Sequence, residues 1–170
     1  LEPRGQITKA AVATGADLCY YSGFNDYNSL VQRYDSALDY GTGDFYYMVW
    51  VNTSMNGSGN LEGLISRQTD GQSSGNRIQL QADNNRNVFL YCGGFGDDTT
   101  ANLSKAGWTH IAFIRRNEMG YVYEDGRLRK YFSDTTDYTN SGANLRIGGL
   151  SLGSSIEDNS YPANDSKFAL

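Results

Sequence analysis

An all-β fold, an antiparallel sandwich of two sheets, is what this sequence predicts, and three observations predict it. Short runs alternate in the period of two that a pleated strand imposes: Phe45, Tyr47, Val49 and Val51 share one face of such a run, and Tyr46, Met48 and Trp50 the other. Twenty Gly against two Pro, with 13 Tyr and 7 Phe, supply many turns between aromatic-rich strands. About a dozen such runs recur at a spacing of roughly 8 to 15 residues, and no helical pattern is long enough to cross between parallel strands.

Taken in order, residues 6–13 and 17–21 are the first two strands, split by Thr14, Gly15 and Ala16, and residues 27–34 form a third. A polar turn region at 35–44 leads into the strand at 45–51, whose apolar groups on both faces place it in the centre of its sheet. After the Asn56-Gly57 loop come a strand at 61–67 and a polar loop at 68–75. Residues 76–81 alternate with Ile78 and Leu80 inward, and 87–92 pair with them through the turn at Asn84 and Asn85. Residues 93–100 read as a long Gly/Asp loop. Next, Trp108, His110 and Ala112 fall on one face and Thr109, Ile111 and Phe113 on the other. Both faces are apolar, which suits a strand inside a sandwich. Residues 115–118 break that pattern, 121–123 resume it, and Asp125-Gly126 turns the chain back into 127–132, because Gly tolerates positive φ. A polar stretch at 133–142, a strand at 145–147, a loop at 151–165 and an alternating run from 166 finish the chain.

The 170 residues are enough for one sizeable core, so a single domain is expected. The chain begins without Met and stops inside an alternating run at Leu170, so a fragment of a longer polypeptide with an incomplete closing strand is expected. A net charge of −5 disfavours a nucleic-acid backbone as partner, and no run reaches the ~18 apolar residues of a membrane span. Cys19 and Cys92 sit beside aromatic residues in strand-like runs, where a free thiol behaves as a small hydrophobe; a disulfide is the alternative. One His and no Cys-x-x-Cys leave no zinc site of the common kind.

Three segments resemble the laminin G-like, or concanavalin A-like, jelly-roll superfamily. They are Leu38-Asp-Tyr-Gly-Thr-Gly-Asp-Phe45 running into Trp50-Val51, then Gly107-Trp-Thr-His-Ile-Ala112 followed by Tyr121-Val-Tyr-Glu-Asp-Gly126, then Leu145-Arg-Ile-Gly-Gly149. Their order and spacing carry the resemblance over residues 38–149. Val12-Ala-Thr-Gly-Ala-Asp-Leu18, with Tyr21-Ser-Gly23, is similar to lectin-like modules of bacteriophage tail and fibre proteins. The resemblance implies one jelly-roll domain over residues 1–170, in which His110 is a structural strand residue and Trp50 and Trp108 belong to the core.

Members that cleave β-glucans carry Glu-x-Asp-x-x-Glu on one strand, aiming carboxylates into one groove. That spacing does not occur here, and Asp97-Asp98, Glu124-Asp125 and Glu157-Asp158 read as turn or loop pairs. The expectation is therefore a non-catalytic, lectin-like adhesion module that contacts glycans or a receptor on a cell surface. Its expected place is a virion tail or fibre, or otherwise outside the cell, beside other virion subunits. A structural module making only protein contacts is the alternative, and a glycan-cleaving enzyme is third. Sugar faces stack on exposed rings while their hydroxyls take hydrogen bonds, so Phe95 with Asp97 and Asp98, Tyr138 with Asn140, and Tyr161 are the candidate ligand residues. For calcium, which wants several loop oxygens, the resemblance implies one ligand near Asp70 or Asn76 and another near Asp137 or Asn140, with Asn76 the weaker ligand type.

Overall fold

The computed structural model describes residues 1–25, 27–53, 61–68, 75–93, 95–103, 107–150 and 167–169. Within them the chain forms two antiparallel seven-stranded sheets. The first runs β1 (Glu2–Arg4), β4 (Ser29–Gln32), β13 (Asn144–Ile147), β6 (Glu62–Gln68), β7 (Gly75–Ala82), β8 (Asn87–Gly93), β9 (Phe95–Asn102). The second runs β12 (Arg127–Ser133), β11 (Met119–Glu124), β10 (Thr109–Arg116), β5 (Phe45–Asn52), β14 (Lys167–Ala169), β3 (Cys19–Ser22), β2 (Thr8–Ala11). The strand at 45–51 is thus central, as its two apolar faces require.

The inner faces meet as the alternation dictates. Leu30, Ile65, Ile78, Leu80, Val88, Leu90 and Ile147 of the first sheet pack on Phe45, Val49, Val51, Ile111, Phe113, Val122 and Phe168 of the second. Burying a side chain of this size contributes about 1.5–3 kcal/mol. The hairpin after β11 turns through Asp125 and Gly126, both at positive φ (48° and 77°). Its two-residue geometry matches the twist of the flanking strands.

Three expectations are corrected, and one strand is added. Residues 95–102 are not loop but the edge strand β9, paired with β8 from Cys92↔Phe95 to Asn87↔Asn102 with one bulge at Val88 and Phe89. An edge strand pairs on one side only, so it tolerates Gly, Asp and Thr that would weaken a central one. Arg115 does not leave the strand; it lies buried one residue before the end of β10, and the turn follows at Asn117 and Glu118 (φ 51° and 59°). Trp50 is not in the core, since its side of β5 faces outward and the ring is 44% exposed. Glu2–Arg4 adds a short strand that its composition does not announce.

The segment 134–140 crosses one end of the sandwich and is fastened by two buried arginines. Arg67 donates to the carbonyls of Tyr138 and Asn140, both at 3.1 Å. Arg115 donates to the carbonyls of Asp134 at 3.0 Å, Thr136 at 3.3 Å and Gly43 at 2.6 Å. Buried main-chain acceptors in an irregular segment must find donors, and here the two guanidinium forks supply them.

Candidate functional site

Strand register places a row on the outward side of the first sheet that is polar from Arg146 to Tyr91 and buried as far as Gln79. Val31, Arg146, Ser66, Gln79, Tyr91 and Gly96 stand side by side across β4, β13, β6, β7, β8 and β9. Beside it, Gln81, Phe89 and Asp98 form a second row across β7, β8 and β9. Alternation produces both rows: Ile78, Leu80, Val88, Leu90 and Cys92 point into the core, so Arg77, Gln79, Gln81, Phe89 and Tyr91 point out.

The centre of this face is Tyr91, half-buried, with the Arg77 guanidinium 5.2 Å from its ring centroid. The pair combines a π-face with a planar donor fork. Arg77 Nε is buried and has no hydrogen-bond partner. Gln79 beneath is held by a hydrogen bond to Gln68, and Arg146 Nη1 donates to Ser29 Oγ at 2.8 Å. At Gly96 a Cβ would come within 2.8 Å of the Tyr91 ring, so glycine lets the edge strand lie against it. The combination can stack one sugar face and hydrogen-bond its hydroxyl or carboxylate groups.

The residues singled out from sequence are placed as follows. Asp98 belongs to this face, one strand from Phe89. Asp97, its neighbour, points to the other side of β9, where Lys130 Nζ lies 3.7 Å away. Phe95 stacks flat on Phe132, with ring centroids 4.0 Å apart and planes at 7°, and anchors β9 to β12 across the open edge of the sandwich. Tyr138 cannot be a sugar platform: its ring is wholly buried, its hydroxyl donates to Asp134 Oδ2 at 2.8 Å, and burial pushes its pKa far up. Segment 134–140 is drawn inward by the two arginines, and the ring follows. Asn140 is buried, its N–H given to Asp39 Oδ1 at 2.9 Å. Tyr161 and Asp70 lie outside the described residues.

The calcium candidates Asn76, Asp137 and Asn140 do come to the same end of the sandwich. Asn76 Nδ2 donates to the Thr139 carbonyl, and Asn140 Nδ2 reaches the Asn76 carbonyl at 3.5 Å. Asp137 is exposed, and the N–H of Thr139 holds its carboxyl below the usual range. Calcium takes about 6–8 oxygens. Among the described residues no three acidic, His or Cys side chains gather in one place.

His110 lies on the outer face of the second sheet, its ring 5.1 Å from Trp50, and its main-chain N–H donates to Asp125 Oδ1 at 2.8 Å. Both thiols are free. Glu124 pairs with Arg129 at 2.9 Å, as a hairpin-end carboxylate does. The Arg77–Tyr91 pair was missed in the sequence, although the alternation at 76–81 already turned Arg77 outward; its meeting with Tyr91 depends on register, which the sequence does not display.

The family model described as the concanavalin A-like lectin/glucanases superfamily matches residues 25–163. The chain belongs to this superfamily. Among solved structures, this superfamily member is similar to the CBM40 of the Ruminococcus gnavus IT-sialidase bound to α2,3-sialyllactose, at 13% identity over 74% of each chain and a TM-score of 0.59. It is similar to domain 4 of AbnA, an extracellular arabinanase of Geobacillus stearothermophilus in complex with arabinotriose, at 14% identity over 97% of this chain and 75% of that one, TM-score 0.55. It is also similar to a mutant Trypanosoma rangeli sialidase displaying trans-sialidase activity, at 15% identity over 96% of this chain and 26% of that one, TM-score 0.60. At these identities the likeness shows the fold. No curated protein sequence matches the chain.

Proposed function

We propose that this lectin-like chain is a non-catalytic glycan-binding module whose site is the outer face of β7, β8 and β9. The Arg77 guanidinium over the half-buried Tyr91 ring, on the outward side of β7 and β8, carries the reading. Two solved structures of similar fold hold saccharides, a sialyllactose in one and an arabinotriose in the other, which supports a glycan as the ligand class. Asp97 and Asp98 point to opposite sides of β9, so they do not face one glycosidic bond as a hydrolase pair must. The narrower placement, an adhesion module of a phage tail or fibre working outside the cell, rests on the likeness of residues 12–18 and 21–23.

A glycan array carrying sialylated and neutral saccharides, run with and without chelator, tests this. Binding is expected, reduced at least about tenfold in Arg77→Ala and in Tyr91→Ala, with no reducing ends released. A folded sample that binds no glycan under either condition refutes the reading. Loss with chelator would show that calcium supports binding, with Asp70, Asn76, Asp137 and Asn140 its candidate ligands. The structural alternative, contact with protein only, is favoured by a different surface on the second sheet.

A further inference from the structure

We infer that the outer face of the second sheet is a self-association surface, occupied by a second copy of this chain. Five of the eight large hydrophobic side chains exposed among the described residues stand on this one face: Tyr46 (68%), Met48 (49%), Trp50 (44%), Leu128 (44%) and Tyr131 (66%). At roughly 150–250 Å² per large ring, these fractions leave on the order of 500 Å² of apolar surface. That is toward the upper end of what a monomer shows, about 300–600 Å². With Tyr121, Tyr123, His110 and Arg116 around it, the face approaches the ~800 Å² per partner of a stable interface.

Shape and charge favour a second copy over another occupant. Strand β5 presents a ridge of three tall side chains, Tyr46, Met48 and Trp50. Their neighbours on β10, paired one to one, are Ile114, Ala112 and His110, with Ala112 only 3% exposed. The ridge therefore lies beside a row whose low point is Ala112 alone, a short groove between His110 and Ile114. A twofold axis parallel to these strands and midway between them sets each ridge into the groove of the other molecule, the self-complementary arrangement a dimer needs. Stacked sheets pack about 10 Å apart, which suits rings interdigitating with Ala and Ile. The chain carries a net charge of −5, yet the outward positions of β5, β10, β11 and β12 hold no Asp or Glu. Two acidic molecules repel least where neither presents a carboxylate.

Sedimentation of the 170-residue chain over a dilution series tests the inference. A reversible dimer is expected. Ala112→Trp, which fills the groove, and the double variant Tyr46→Ser/Trp50→Ser, which lowers the ridge, should each weaken it by more than about tenfold. Circular dichroism and a thermal melt establish that each variant is folded, and the ridge variant serves if the groove variant is not. A wild-type chain that stays monomeric at its highest soluble concentration overturns the inference. So does a dimer that folded variants leave unchanged, or a ridge variant that loses glycan binding with no change in mass. Arg77→Ala should leave the dimer intact, which keeps this result separate from the glycan reading.

Discussion

Arg67, fully withdrawn from solvent, meets the Asp39 carboxylate at 2.5 Å across the end of the sandwich. The same guanidinium holds two carbonyls of segment 134–140, and Asp39 also accepts from Tyr34 Oη at 2.8 Å. A buried cation stripped of its carboxylate is left uncompensated. Asp39→Ala should therefore lose about 3 kcal/mol of stability in urea unfolding. Arg67→Met should lose at least as much, since it also leaves the carbonyls of Tyr138 and Asn140 without their donors. No loss in either variant would mean that the ion pair is not what fastens the segment.

The same carboxylate sets an acid limit. The N–H of Asn140 lowers the Asp39 pKa most, with Tyr34 and Arg67 adding to it and burial opposing. A carboxyl whose folded pKa is depressed stabilises fully above its unfolded value, about 3.9, and loses that contribution as pH falls through the folded one. Unfolding free energy should decline below about pH 4, and Asp39→Ala should flatten that decline. Parallel wild-type and variant curves between pH 5 and 2 would assign the acid sensitivity elsewhere.

Much of the sandwich was legible because alternation survives wherever one face is buried. Strands β5, β7, β8, β10, β11 and β13 each show it, and the Asp125-Gly126 turn joins β11 to β12 as its residues require. Strand β9 was illegible for a physical reason: its ladder is satisfied on one side by β8, so Gly96, Asp97 and Asp98 need no strand propensity of their own. Arg115 read as a break because its acceptors are carbonyls of Gly43, Asp134 and Thr136, all distant in sequence. Trp50 was misplaced because a strand apolar on both faces does not reveal which face meets the other sheet. At the candidate site, alternation turned Arg77 and Gln79 outward, but the partner ring Tyr91 enters only through β7–β8 register.

Backbone approach makes a sharper steric prediction at Gly63. A Cβ there would stand 2.4 Å from the Gly149 carbonyl carbon and 2.7 Å from the Leu150 nitrogen, against main chain that cannot rotate away. Gly63→Ala should push the strand exit at 149–150 off β6 and destabilise by about 1–3 kcal/mol. At Gly126 a Cβ meets nothing within 4 Å, yet φ is +77°, so Gly126→Ala should lose only about 1 kcal/mol through backbone strain. Thermal melts of the two variants compare crowding with conformation, and a Gly126 variant less stable than the Gly63 variant would reverse this ranking.

The two thiols should differ in reactivity by their surroundings alone. Cys92 is buried on β8, and burial pushes its pKa up to about 12, with the neighbouring Asp134 carboxylate acting in the same direction. Thiolate is the reactive form, so at neutral pH this sulfur presents almost none. Cys19, on β3 of the other sheet, is half-exposed, and its thiol donates weakly to the Asp17 carbonyl at 3.6 Å. A disulfide-exchange reagent should titrate one thiol in the native chain and a second only in denaturant. Because Cys92 opens only with the core, its labelling rate should follow the global unfolding free energy, rising in Asp39→Ala and staying unchanged in Arg77→Ala. Labelling of both thiols at similar native rates would show that the β8 face of the core opens locally.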